Sequence, residues 1–207
     1  MKLGLALIPN IENIKAIVKL QQKVISLIPL QPILGTELNL PHITLIQGRF
    51  KPDVNWINII SNLRDHIKTQ NYRLEFKLTE LEFKRSGWYF LNPSSNIIFS
   101  QSHKFVFDNL KTSMYLTEED LYQDISNYSD LEKANYLKYG YRFIGDAFQP
   151  HITLGRYLNK NQIGITENLF NLVNPFISNY QGILEKITLY EMGENGSHSR
   201  TLSSLDI

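Results

Sequence analysis

Five consecutive residues occur twice in this chain of 207. Pro41-His42-Ile43-Thr44-Leu45 returns letter for letter as Pro150-His151-Ile152-Thr153-Leu154, at an offset of 109. The offset continues without a gap. The apolar helix face Trp56, Ile60, Leu63 and Ile67 falls on Ile165, Leu169, Leu172 and Phe176; further on, Lys77-Leu78-Thr79 falls on Lys186-Ile187-Thr188 and Gly87 on Gly196. A sustained register of this kind marks a duplicated unit. Here the unit reads strand–helix–strand–turn–strand, over roughly 38–92 and 147–205. Each copy has too few strands to bury its sheet face alone, so the repeat predicts two lobes related by a pseudo-two-fold axis. Residues 1–207 are expected to form one bilobal domain.

The periodicity around the repeat fills in the rest. Residues 2–8 read as an opening strand and 11–28 as a helix ended by Pro29 and Pro32. A strand over Leu38–Gln47 is followed by a helix starting at Pro52-Asp53. Strands follow at Arg73–Lys84 and Trp88–Leu91, with a short apolar run at Ile97–Phe99. Helical spacing covers about 101–139, broken near Thr117 and Asn127. Strand pattern returns at Phe143 and His151–Leu154, helix at 160–173, and strands at Gly182–Met192 and Arg200–Leu205. This order predicts an α+β fold of mixed or antiparallel sheet, with helices outside and a central cleft. Residues 115–141 stand apart in composition. They hold six of the 11 tyrosines, and acids from Glu118 to Glu132 outnumber Lys133 and Lys138.

Composition removes whole classes of chemistry. Lys plus Arg is 21 against 20 for Asp plus Glu, a net charge of +1. That excludes the broad positive field of a nucleic-acid coat but leaves room for a grip on one phosphate. Cysteine is absent, which excludes disulfide scaffolds, Cys-ligated zinc, iron–sulfur clusters and thiol nucleophiles. It suits a reducing, cytoplasmic setting. The apolar start Leu3–Ile8 is cut by Pro9 and Asn10 and reads as a buried strand, not a signal peptide. No apolar run approaches the roughly 18 residues of a membrane helix, so no membrane partner is expected.

In a strand, residues i and i+2 share a face. His42 therefore projects with Thr44, and His151 with Thr153, while Ile43, Leu45, Ile152 and Leu154 turn to the core. Lobes that face each other would bring two imidazoles and two hydroxyls into one cleft. One neutral His can take a proton from water or a hydroxyl, and one imidazolium can return a proton to a leaving oxygen. The hydroxyls can donate to phosphate oxygens as charge shifts. No metal or cofactor is required. A zinc site would need a third ligand, and neither motif offers Asp, Glu or His two residues further along its strand.

Other candidates for substrate binding are weaker. Arg156 and Arg49 each lie just past a motif, after Gly155 and Gly48, and either could offer a guanidinium to phosphate. They do not share a repeat position, and simple alternation turns Arg156 away from Thr153. Tyr139 and Tyr141 are the tyrosines of 115–141 nearest the second motif and candidates for stacking on a base. His198 lies in the turn equivalent to Tyr89 and is placed to reach a cleft rim. His66 and His103 read as solvated.

The paired His-x-Thr-x motifs, one in each half of the chain, resemble those of the 2H phosphoesterase superfamily. The flank Pro150-His151-Ile152-Thr153-Leu154-Gly155-Arg156 is similar to the bacterial branch known as 2′-5′ RNA ligases or RNA 2′,3′-cyclic phosphodiesterases. The resemblance covers nearly the whole chain. It implies the bilobal α+β fold, His42 and His151 as acid–base pair, and Thr44 and Thr153 as phosphate ligands. It also implies metal-independent chemistry on 2′,3′-cyclic phosphate ends of RNA or nucleotides. Cleavage or ligation of 2′-5′ linkages is the alternative, as is a module that binds RNA ends or nucleotides without turnover. The protein is expected to be a monomer. Against the shorter bacterial members, residues 115–141 look like an added helical insertion preceding the second motif.

Overall fold

A computed structural model describes residues 1–157 and 165–207. Among them are nine strands and five α-helices. The strands are β1 (Lys2–Pro9), β2 (Leu30–Gln31), β3 (Ile43–Phe50), β4 (Glu75–Phe83), β5 (Trp88–Pro93), β6 (Met114–Tyr115), β7 (Ile152–Tyr157), β8 (Gln181–Met192) and β9 (His198–Asp206). The helices are α1 (Ile11–Ile25), α2 (Trp56–Thr69), α3 (Ile97–Leu110), α4 (Asp130–Tyr139) and α5 (Glu167–Asn179). The α+β class read from the sequence holds, and every described pairing is antiparallel.

Each helix begins where a short polar side chain can accept from an orphan amide. Asn10, Asn55, Asn96, Ser129 and Thr166 all do so. Asn96 explains one departure from the expected order. The apolar run Ile97–Phe99, expected to precede the helical stretch from about 101, opens α3 itself, because the Asn96 side chain accepts from the Ile98 amide. Phe143 lies outside any strand, and its side chain is buried in irregular backbone. The expected helix over 160–173 is found further on, as α5; residues 158–164 lie outside the described part. The repeat register slips by one within it. Leu169 is buried as expected, but Val173 and Ile177 take the inner positions instead of Leu172 and Phe176.

The sheet order is β2-β7-β5-β4-β8-β1-β3-β6, with β9 beside β8 and a further pairing of β3 with β7. The repeat units are interleaved in this order. The first supplies β3, α2, β4 and β5; the second supplies β7, α5, β8 and β9. Yet β7 pairs with the first unit's β5, while β3 reaches the second unit's β8 only through β1. Each half of the sheet thus joins the opening strand of one unit to the hairpin of the other. The centre is a row of residues paired across four strands: Leu7 with Ile43, Ile43 with Ile152, and Ile152 with Leu91. All four are 0% exposed. Fully burying side chains of this size contributes about 1.5–3 kcal/mol each, and the row ties the halves together alongside the pairing of β4 with β8.

Candidate active site

The pairing of Ile43 with Ile152 places the two motifs at one point. Both isoleucines turn to the core, so their neighbours His42, Thr44, His151 and Thr153 turn to the opposite face. All four line one cavity of about 1150 Å³. In an antiparallel pair with this register, His42 lies across from Thr153, and His151 across from Thr44.

Each imidazole is oriented by its own chain. His42 Nδ1 lies 2.6 Å from the Leu40 carbonyl, and His151 Nδ1 lies 2.8 Å from the Gln149 carbonyl. A carbonyl can only accept, so both Nδ1 atoms carry the hydrogen and Nε2 is the basic atom of each neutral ring. In both copies the accepting carbonyl lies two residues back, across a proline. Gln149 is itself held: its amide donates to Glu82 at 2.6 Å, and Lys84 donates to its oxygen at 2.9 Å. The His151 ring stacks on Phe90 at 3.8 Å and meets Phe143 edge-on at 5.3 Å. The His42 ring lies 5.0 Å from Tyr190 and 6.2 Å from His198.

Burial lowers both imidazoles from 6.5 to about 4. Desolvation is the main cause, because it penalises the charged form. The neighbouring His198 and His151 add to it at His42, as do Arg142 and Lys84 at His151, while the two backbone carbonyls act the other way. The free site therefore holds two neutral imidazoles at neutral pH.

A bulge follows each motif. Leu45 is the extra residue between the pairs Ala6–Thr44 and Leu5–Ile46. Leu154 is the extra residue between Phe90–Thr153 and Tyr89–Gly155. The two leucines are at equivalent repeat positions. A bulge inserts one residue and reverses the alternation beyond it. Gln47 and Arg156 consequently return to the face of Thr44 and Thr153, and both line the cavity. Simple alternation turned Arg156 away; the bulge corrects that expectation. It also identifies Gln47, not Arg49, as the counterpart of Arg156.

The bulges leave backbone carbonyls without ladder partners, and buried polar side chains supply them. Gln21 on α1 donates to the Leu154 carbonyl at 2.7 Å. His103 on α3 donates to the Leu45 carbonyl at 2.8 Å, and its Nε2 accepts from the Gly145 amide at 2.8 Å. His103 is thus a buried structural group stacked on Phe148 at 4.0 Å, not the solvated residue its position suggested. His66 is half-buried and stacks on Phe105 at 4.9 Å.

The remaining candidates divide. Arg156 Nε donates to the Ser86 carbonyl at 3.1 Å, and its guanidinium lies 5.7 Å from the Trp88 ring. Tyr141 lines the cavity and His198 is buried in its wall. Two expectations fail. Arg49 is bound to Asp120 at 2.8 Å and to Glu119 at 3.0 Å, away from the cavity; past the bulge it sits two residues beyond Gln47 on the sheet's rim. Tyr139 packs edge-on against Phe107 at 5.2 Å and takes no part in the lining. Part of the acidic charge of the insertion is balanced from outside it. Lys2 and Arg49 neutralise Asp120, and Arg142 faces Glu132 at 3.7 Å. Gln123, Asn127, Tyr128 and Arg142 instead build one wall of the cavity. Among the described residues, the charged groups in the lining are Lys2, Arg85, Arg142, Arg156 and Asp124, of which Lys2 and Arg142 are paired with Asp120 and Glu132. Among the described residues no three His, Cys, Asp or Glu side chains come together to hold a metal ion.

Solved structures share this arrangement of strands and helices over the full chain. Escherichia coli LigT complexed with 3′-AMP matches with a TM-score of 0.56 and 16% identity, covering 100% of this chain and 97% of that one. The chain has the LigT fold. LigT complexed with phosphate gives 0.53 at 16% identity, covering 100% and 96%. TT0787 of Thermus thermophilus gives 0.51 at 17%, covering 100% and 97%. No family model matches the sequence, and no curated protein is similar to it by sequence. The likeness to LigT is therefore one of fold, and the residues of the cavity must carry the chemistry. No helix among the described residues is long and apolar enough to cross a membrane.

Proposed function

We propose that this protein is a 2H-type phosphoesterase that opens 2′,3′-cyclic phosphates at the ends of RNA, using His42 and His151 as acid and base without a metal. The observation that carries the reading is the Ile43–Ile152 pairing, which turns both imidazoles and both threonines onto one face of one cavity. Water attacks phosphorus and gives its proton to the neutral imidazole. The bond from phosphorus to one ribose oxygen breaks, and the imidazolium protonates that oxygen. Thr44 and Thr153 donate to the non-bridging oxygens, and Arg156 supplies positive charge beside them. The anion also raises the imidazole that must start protonated, since opposite charge favours the charged form.

Two features favour a chain end over a free mononucleotide. The cavity, at about 1150 Å³, exceeds the usual 300–1,000 Å³ of a small-molecule pocket. Its lining also carries Arg85 besides Arg156, a second cation for a second phosphate group. We read residues 1–207 as one two-lobed unit working as a monomer, and the cysteine-free sequence suits a reducing cytoplasm.

The test is turnover of adenosine and cytidine 2′,3′-cyclic phosphates, alone and at the end of a short RNA, in excess EDTA. Wild type is compared with His42→Ala and His151→Ala. Activity that survives EDTA and disappears in both variants supports the reading. Activity abolished by EDTA would overturn the metal-free mechanism. Binding without turnover across pH 4–8 would make the protein a binding module.

A further inference from the structure

One buried hydroxyl in the site has no part in the chemistry above. Tyr190, on β8, is 0% exposed, and its Oη lies 3.2 Å from His42 Nε2. The same oxygen accepts from the Gln47 side-chain amide at 2.5 Å, and the Thr44 side chain lies beside it. Gln47 is fixed in turn by donating to the Gly196 carbonyl at 2.8 Å. Tyr190 reaches this place because β1 offers no side chain beneath it. It pairs with Gly4, and a Cβ there would sit 2.2 Å from the tyrosine Cζ. The duplicated unit carries Leu81 at the position of Tyr190, so the repeat itself supplies no such hydroxyl for the second motif.

The hydrogen-bond inventory fixes the direction. The Leu40 carbonyl takes the Nδ1 hydrogen of His42, so Nε2 carries a lone pair and the Tyr190 hydroxyl supplies the proton between them. That bond requires the lone pair of a neutral imidazole. We propose that Tyr190 is a positioning residue that holds His42 in its neutral form, and so makes His42 the base and His151 the acid when a cyclic phosphate is hydrolysed. The assignment of roles rests on the phosphoesterase reading; the Tyr190–His42 link does not.

The same network connects the charge on His42 to the phosphate. When Nε2 takes the proton of the attacking water, its new N–H donates to Tyr190 Oη. The tyrosine proton then turns from Nε2 towards Thr44 Oγ1, which directs the threonine hydrogen to the phosphate oxygens. Thr44 becomes a donor to substrate at the moment negative charge builds there. The titratable groups facing His42 are Tyr190 from β8, His198 from β9 and His151 from β7. Burial pushes Tyr190 itself up to about 12, with Thr44 and Gln47 opposing, so it stays a proton-bearing donor throughout the working range.

The experiment is an NMR titration of the histidine ring signals in Tyr190→Phe, with a second variant carrying a fluorinated tyrosine at 190. Removing the donor should raise the His42 midpoint by about one pH unit. The fluorinated ring is a stronger donor and should lower it; His151 should move little in either. The opposite shifts distinguish a hydrogen bond from general damage to the fold. No shift, or the same sign in both, would overturn the link whether or not the protein turns over substrate. Steady-state rates then test the roles. With His42 as base, Tyr190→Phe gains nothing at pH 7 and loses activity below about pH 5. A gain of about tenfold in kcat/KM at pH 7 would show that His42 is the acid instead.

Discussion

The burial of both imidazoles predicts an unusual pH profile. Each is lowered from 6.5 to about 4 in the free protein. The productive form needs one neutral and one protonated ring, and a phosphodiester keeps a single charge across this range. With both midpoints near 4, that form holds about a quarter of the protein at pH 4, about 8% at pH 5 and about 0.1% at pH 7. The ratio kcat/KM should therefore peak near pH 4–5 and fall roughly eighty-fold between pH 5 and 7. Because the bound anion favours imidazolium, the profile of kcat should lie to the alkaline side of kcat/KM. The assay is initial rate against concentration of a 2′,3′-cyclic phosphate at half-unit steps from pH 4 to 8, at constant ionic strength. A kcat/KM that is flat from 5 to 8, or that rises towards pH 8, would refute the paired-imidazole reasoning. A peak near 6.5 would refute the desolvation and leave the pair.

Other outcomes rest on the same contacts. The two depressed histidines mean that between about pH 4 and 6.5 the unfolded chain binds more protons than the folded one. Stability should be fully present above pH 6.5 and decline as pH falls through that window, and a His42→Gln, His151→Gln double variant should show a flatter Tm–pH curve. Gln21→Leu removes the partners of the Leu154 and Pro32 carbonyls and the Leu34 amide, and should cost about 2–5 kcal/mol in denaturant titration. His103→Leu orphans the Leu45 carbonyl and the Gly145 amide and should cost a similar amount, about 2–4 kcal/mol. Arg49→Ala deprives the buried Asp120 of a partner and should cost about 2 kcal/mol with KM unchanged. Arg156→Ala should instead raise KM about tenfold with little change in Tm; equal effects of the two on KM would contradict the division of roles.

Much of the site was legible because its signal is local and repeated. Two identical pentapeptides needed only the two-residue period of a strand to put His42 with Thr44 and His151 with Thr153. Tyr190 and Gln47 were missed, because each owes its place to a partner far along the chain. Tyr190 depends on Gly4 and on β8 lying beside β1, and Gln47 on a bulge that strand alternation does not reveal. Their only trace in the sequence was the offset itself, which sets Gln47 opposite Arg156. The two-residue strands β2 and β6 went unseen because alternation has no meaning over two residues.

By itself the sequence determined the duplication, the α+β class and the four polar residues, since periodicity and repetition are properties of nearby positions. Tertiary structure decided how the units interleave, which face the residues beyond each motif take, and how the histidines titrate. Those outcomes depend on which strand lies beside which, and on how far water is kept from a ring, and neither is written in any short stretch of the chain.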